Sequence, residues 1–296
     1  MIDKLEFLVA LAEQKHFGLA AKACGVSQPS LSVGIKCLEK ALDVQLVERD
    51  QRFIGLTAEG ERALEWARRI IADTRAMSQE VKGGKDGLAG RVRMAIIPTA
   101  LPVIAELTKP LHARNPGISF QIITRSPAGI RRLLDEAAID AAVTYIDRKS
   151  SERLTAIPLY REEYRLVTSR TFSRPCGDHP TWAAVSALPL CLMDSQHPRI
   201  TQALRRGADT APRITLESDS IALLLSHIRT GHAAGILPER LLRSTEMQKE
   251  FLLSPIIRPA ISCAIGVIMP SRHPMTAIAR ALAAEAHQAA VRLMPT

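Results

Sequence analysis

Residues 16–53 read "HFGLAAKACGVSQPSLSVGIKCLEKALDVQLVERDQRF". Leu19, Ala20, Ala21 and Ala23 predict a short helix of small side chains over about 18–24, and Gly25 can take the positive φ that stops it. Ser27 is placed to cap a second helix, with Pro29 in its first turn, where a missing N–H does no harm. That helix buries Leu31, Ile35, Leu38 and Leu42, at spacings of four, three and four. Two helices joined by a tight glycine turn, the first lined with alanines that allow a close crossing, make a helix-turn-helix.

On the second helix Pro29, Val33, Lys36 and Lys40 fall opposite the buried stripe, with Ser32 beside them. These side chains would face a major groove. Gln28, Pro29 and Ser30, at the helix start, would be among the first to meet base edges. Before this unit, residues 3–14 form an amphipathic helix with Leu5, Leu8, Val9 and Ala12 on one stripe. After it, "QLVERDQRFIGLT" (45–57) reads as two short strands, with Arg49 and Arg52 in or near the turn. A hairpin wing beside the groove-facing helix puts those arginines against backbone phosphates. Thr57 then caps a long helix in which Ala63, Ala67, Ile70, Thr74, Met77 and Val81 recur at 4-3-4-3-4. Such a coiled-coil seam on a lone helix implies a dimer. "GGKDGLAG" (83–90) reads as a linker.

The order of helix, helix-turn-helix, "VSQPSLSVGIKCLEKALDVQLVERDQRF" wing and "LTAEG" linker helix resembles the LysR-type transcriptional regulators. The match is specific across residues 2–60, and the layout fits the whole chain. The sequence departs where the family commonly carries Arg-Gln, here Val33-Gly34, and at Val47, where it carries Phe. Gly34 costs about 1 kcal/mol of helix relative to Ala, so it is expected where DNA or a neighbouring helix approaches closely. The missing arginine bears on base preference and leaves the DNA-binding role intact. Within the family, "HFGLAAKACGVSQPSLS" and "IIPTALPVIAEL" are similar to regulators associated with formate dehydrogenase operons.

The resemblance implies a winged helix-turn-helix over 1–58, a dimerisation helix and hinge over 59–90, and an α/β effector domain over 91–296. That last domain would be two-lobed and like a periplasmic binding protein, with lobe I at 91–161 and 267–296 and lobe II at 162–266. It further implies operator DNA, a small-molecule effector and RNA polymerase as partners, and homodimers joined into a homotetramer.

The residues beyond 90 support such a domain independently. "RVRMAII", "ISFQIIT", "DAAVTYI", "EEYRLVTS", "LPLCLMD", "PRITLES" and "CAIGVIM" read as strands alternating with helices, a mostly parallel βαβ architecture. Ligands of such folds bind at carboxyl ends of strands, against helix N-termini that favour anions. Thr99 and Ala100 follow the first strand, and Ser126 follows the second. In lobe II, Ser195, Gln196 and Arg199 occupy a strand-to-helix turn, and Ser218 and Ser220 stand at another helix start. Each of these Ser and Thr residues reads equally well as a plain N-cap.

Net charge is +9, but residues 1–90 carry 13 Lys+Arg against 13 Asp+Glu. DNA binding therefore rests on placed cations and not on a bulk field. The whole excess lies beyond residue 90, which with Arg199 suggests a small carboxylate or other anion as effector. There is no GxSxG, P-loop or GxGxxG after a strand, and the eight histidines do not cluster, so no enzyme, cofactor or metal centre is expected. No apolar run is long enough for a membrane helix, and the acids in the first helix exclude a signal peptide, so a cytosolic protein is expected. The five cysteines are scattered, with no CxxC. Cys191, in a predicted strand, has no resolving cysteine nearby and reads as a small hydrophobe; a thiol-based redox sensor is the alternative within the same fold.

Overall fold

The computed structural model describes residues 1–49, 53–82, 88–146, 154–172, 177–194, 197–207, 211–243, 245–271 and 274–294. The N-terminal unit comprises α1 (Ile2–Gln14), α2 (Phe17–Ala23), α3 (Gln28–Leu42), β1 (Val47–Arg49), β2 (Phe53–Leu56) and α4 (Ala58–Lys82). Leu5, Leu8, Leu11, Ala20, Ala21, Leu31, Ile35, Leu38 and Leu46 make its core. Gly25 takes φ +68° between α2 and α3, as a left-handed stop requires. Ser27 Oγ accepts the Ser30 N–H at 3.3 Å, capping α3. The cap of α2 is one the sequence did not advertise: His16 Nδ1 accepts the N–H groups of Gly18 and Leu19 at 3.1 and 3.3 Å.

Two expectations about α3 are resolved by packing. Leu42, expected in the buried stripe, is exposed, because the helix ends there and Asp43 turns into the left-handed region at φ 55°. Gly34 faces α1, and a Cβ there would lie 2.5 Å from the Phe7 ring. The close approach is therefore to a neighbouring helix.

Thr57 caps α4, accepting the Gly60 N–H at 2.9 Å and donating to the Gln45 carbonyl at 2.6 Å. The predicted seam divides along α4. Ala63 and Ala67 pack into the core of their own N-terminal unit, whereas Ile70, Met77 and Val81 are exposed. Trp66 is exposed as well. The apolar stripe of a single helix is thus divided, its N-terminal part packed on its own unit and its C-terminal part left exposed.

Beyond the linker come β3 (Gly90–Ile96), a 3-10 segment (Pro98–Val103), α5 (Ile104–Arg114), β4 (Ile118–Thr124), α6 (Pro127–Asp135), β5 (Ala141–Tyr145) and β6 (Leu154–Ser169). Then follow α7 (Trp182–Ser186), β7 (Leu190–Met193), α8 (Pro198–Gly207), β8 (Ile214–Ser218), α9 (Ile221–Arg229) and β9 (Ala234–Pro238). The chain closes with α10 (Thr245–Glu250), β10 (Phe251–Pro255), β11 (Ser262–Pro270) and α11 (Ala277–Leu293). Among the described residues the strands form one sheet in the order β4-β3-β5-β11-β6-β9-β7-β8, with β10 on β6.

Each end of the sheet is a parallel trio, β4-β3-β5 and β9-β7-β8. Between them β11 and β6 run antiparallel, so the sheet is less parallel than the sequence suggested. Buried apolar runs such as β7 ("LCLM") and β9 ("AGILP") suit strands covered on both faces. β6 is the main surprise: sixteen residues run unbroken, pairing with β11 through Glu163 and with β9 from Tyr164. The sequence shows only its second half as a strand. The first helix after β3 also departs from expectation, since Pro102 breaks it into a 3-10 turn before α5.

Candidate functional site

The first candidate surface is the outer face of α3. Gln28, Pro29, Ser30, Val33 and Lys36 are exposed there and Ser32 is half-buried. Ser30 Oγ lies 2.8 Å from Ser27 Oγ, so its hydroxyl is partly engaged in the cap. Val33 leaves an apolar side chain on a polar face, suited to a thymine methyl. Arg49 closes β1 opposite Phe53; Arg52 lies outside the described residues. One positioning residue escaped the sequence reading. Glu39 Oε1 accepts the N–H groups of Leu46 and Val47 at 3.1 and 3.2 Å, tying the end of α3 to the first wing strand. A carboxylate taking two backbone N–H groups fixes the wing relative to α3.

The second candidate lies where β6 passes from one half of the sheet to the other. Thr99 and Ala100 are buried at the start of the 3-10 turn after β3. Thr99 faces the Tyr145 hydroxyl at the end of β5 and the Glu162 carboxyl on β6. Glu162 Oε2 accepts the Tyr164 hydroxyl at 2.8 Å, and Tyr164 in turn lies 2.9 Å from the Tyr145 hydroxyl. With the Tyr164 proton directed to Glu162, Tyr145 is the donor to Tyr164. His197, just before α8, packs edge-on against the Tyr145 ring at 4.6 Å. Arg240 stacks 4.6 Å over the Tyr160 ring and donates to the Leu293 carbonyl at the end of α11.

Burial pushes the Glu162 carboxyl up to about 7, against the opposing pull of Thr99, Tyr164, Tyr160 and Arg240. Burial also raises the hydroxyls of Tyr145, Tyr160 and Tyr164, with the Glu162 charge as the second cause. All three therefore stay protonated and can donate. Thr99 Oγ1, the Tyr160 hydroxyl and Glu162 Oε1 have no hydrogen-bond partner outside this cluster; both hydroxyls face the Glu162 carboxyl and stabilise its charge.

The other residues singled out from sequence have partners of their own: Ser126 follows β4 on the sheet edge that Thr99 shares after β3, and Arg199 stands two residues beyond His197. Ser126 Oγ caps α6, accepting the Gly129 N–H, and Ser220 Oγ caps α9, accepting the Leu223 N–H. Arg199 is exposed and donates to the Ser262 carbonyl at 3.0 Å. No hydrogen bond among the described residues joins Thr99 to Ser126, Arg199 or Ser220; Ser195 and Gln196 lie outside the described residues. The residues that do surround Thr99 were legible in part. On β6, Tyr160, Glu162, Tyr164 and Leu166 are buried while Arg161 and Glu163 are exposed. An acid on the inward parity of a strand, between two tyrosines, is the signal that sequence reading passed over.

Cys191 is fully buried in β7, 3.8 Å from Thr215 Oγ1, and burial pushes its thiol up. Cys263 is buried on β11, within electrostatic reach of Tyr145 and Tyr164. No group of His, Cys, Asp and Glu among the described residues could hold a metal ion, and no described helix is long and apolar enough to cross a membrane.

A winged helix-turn-helix followed by a two-lobed α/β sheet is the architecture of a DNA-binding regulator. Comparison with known proteins gives the family. Residues 2–61 match the bacterial regulatory helix-turn-helix of the lysR family, and residues 85–291 match the LysR substrate binding domain. The chain belongs to the LysR family of transcriptional regulators. It is 28% identical over 274 residues to a "Probable hydrogen peroxide-inducible genes activator" of Mycobacterium avium, covering 91% of this chain and 88% of that one. It is 26% identical over 287 residues to the "DNA-binding transcriptional dual regulator OxyR" of Escherichia coli strain K12, covering 93% and 90%. The structure of a full-length OxyR point variant from Pseudomonas aeruginosa superposes with a TM-score of 0.72 at 23% identity, covering 96% and 94%, which speaks for the fold alone. None of these three names concerns formate dehydrogenase.

Proposed function

We propose that this regulator binds operator DNA through the exposed face of α3 and is switched by a signal received between the lobes, where β6 passes from one to the other. The observation that carries the reading is the buried cluster of the Thr99, Tyr145, Tyr160 and Tyr164 hydroxyls around the single carboxyl of Glu162. The site straddles the point where β6 changes partners. A ligand there shifts the populations of two lobe arrangements, and α4 relays the shift to the DNA-binding units of a dimer. Gel-shift titration on a duplex selected from a random pool tests this. Thr99→Val should abolish the change in operator affinity that a lysate-derived small-molecule fraction produces in the wild type, and an undiminished response would refute the site.

A second reading, an oxidant signal, has the relatives' names behind it. They favour it over the anion that the charge balance suggested, and the Glu162 carboxyl also disfavours an anion on the floor. Within this chain the described cysteines offer two buried candidates, Cys191 and Cys263. Peroxide should then alter operator binding in the wild type and not in Cys191→Ser or Cys263→Ser. Identical peroxide responses in all three proteins would exclude these two thiols.

A further inference from the structure

We infer that lobe II carries a second ligand site, remote from the β6 crossing, for a small organic anion such as a phosphate ester or a polycarboxylate. This site is independent of the one between the lobes. β9 ends at Pro238 beside Tyr164, so the carboxyl ends of β9 and of its parallel neighbours β7 and β8 lie toward the crossing. Their amino ends open at the far end of the lobe onto a cavity of about 410 Å3, a size that suits a small metabolite. The residues that immediately precede the three strands, Pro189, Arg213 and Ala233, line it together. His227, Gly231 and His232, from the end of α9 and the turn into β9, line it beside them. Phe172, beyond β6, adds an aromatic wall.

The framework of the cavity is fixed from within the sheet. Leu190 donates its N–H to the Arg213 carbonyl, and Ala234 donates to the Pro189 carbonyl, each at 2.9 Å. Thr215 Oγ1, on the cavity wall, donates to the Leu190 carbonyl at 3.0 Å, so its hydroxyl is already engaged. Gly231 takes φ +77° against Thr171, where a Cβ would lie 2.7 Å from the hydroxyl oxygen. What converges on this framework is basic. Arg213 comes from the start of β8, His227 and His232 come from either side of Gly231, and no Asp or Glu is among the described residues that line the cavity. Among the described residues none of these three side chains has a hydrogen-bond or ion-pair partner. All three are exposed, so each can turn to a ligand without first breaking a contact. The end of α9 would by itself favour a cation, but its last carbonyls are taken: the Thr230 and Gly231 N–H groups donate to those of His227 and Ile228 at 3.2 and 3.0 Å. A guanidinium fork beside two imidazoles is a donor set for phosphate or carboxylate oxygens, whereas an amine would meet Arg213 with like charge.

Calorimetric titration of the full-length protein with inorganic phosphate, glucose 6-phosphate and citrate, at constant ionic strength, tests the inference, with glucose as the uncharged control. At least one anion should bind saturably, and Arg213→Gln should weaken it about tenfold or more, as loss of a charge-assisted pair does. His232→Gln should weaken the same anion, while Thr99→Val, in the inter-lobe cluster, should leave its affinity unchanged. Arg213 and His232 are exposed, so both variants should unfold at the wild-type midpoint without ligand, which separates a lost site from a lost fold. The three anions distinguish bare phosphate, a sugar phosphate and a polycarboxylate. No saturable binding by any of them, glucose binding as well as glucose 6-phosphate, or equal affinity in wild type and both variants overturns the proposal. Anion binding that is lost in Thr99→Val and kept in Arg213→Gln overturns it as well and puts the anion between the lobes.

Discussion

Replacing Glu162 by Gln removes one ionisable oxygen from the cleft floor at almost constant volume. The amide oxygen can still accept the Tyr164 hydroxyl, and its NH2 can donate to the hydroxyl oxygen of Thr99 or Tyr160. Burial raises the carboxyl from 4.5 to about 7. The folded pKa lies above the unfolded one, so the stability linked to this group is complete below the ordinary 4.5 and is lost as pH rises through about 7. At about 1.4 kcal/mol per pKa unit, the ionised carboxylate costs the ligand-free protein roughly 3 kcal/mol once the pH reaches about 8. Glu162→Gln should therefore be more stable than wild type by roughly that amount at about pH 8, with the gain shrinking toward zero near pH 4.5. Urea denaturation of both full-length proteins at several pH values, followed by a probe of the effector domain, measures the difference. A gain that does not vary with pH would show that Glu162 is not the titrating group. A loss of stability at the alkaline end would show that the carboxylate is well satisfied, and the site reading would fall with it. A protein that retains a destabilising group in its sensor gains from it elsewhere, and ligand recognition is the natural place.

Three further outcomes follow from the DNA-binding unit and α4. Gln28→Ala should cost about 1–3 kcal/mol on the preferred duplex and flatten base preference, whereas Arg52→Ala should weaken all duplexes alike and lower the salt slope by roughly one; fluorescence anisotropy across salt concentrations separates them, and two indistinguishable profiles would sink the assignment. Ile70→Asp, on the exposed half of α4, should break the dimer and with it tight binding to a two-half-site operator; sedimentation showing an intact dimer would refute the seam. Gly60→Ala would drive a Cβ into the Leu46 carbonyl oxygen, so the wing must shift, at roughly 1–3 kcal/mol; unchanged stability by thermal unfolding would count against this packing.

What the sequence determined by itself is whatever depends on near neighbours along the chain. The Ser27 cap, the Gly25 turn, the Leu31, Ile35 and Leu38 stripe and the wing after α3 are all written within about forty residues. Helix periodicity and capping are local physics, so they survive reading in one dimension. The alternation of strands and helices likewise sufficed for an α/β domain, whose division into two lobes came from the family resemblance. Where each apolar face goes is not local. Ala67 and Ile70 belong to one heptad pattern, yet one is buried in its own domain and the other left exposed. Gly34 is explained only by Phe7, twenty-seven residues earlier and on another helix. The cleft shows the same division more sharply. Thr99, Ser126, Arg199 and Ser220 were all singled out by one local rule, yet Thr99 faces the Glu162 carboxyl, Ser126 and Ser220 cap the helices they precede, and Arg199 donates to Ser262. Glu162 became visible only when one long strand crossed from lobe to lobe and carried it beneath Thr99 and Tyr145, because the burial that sets its charge is created by elements distant in sequence.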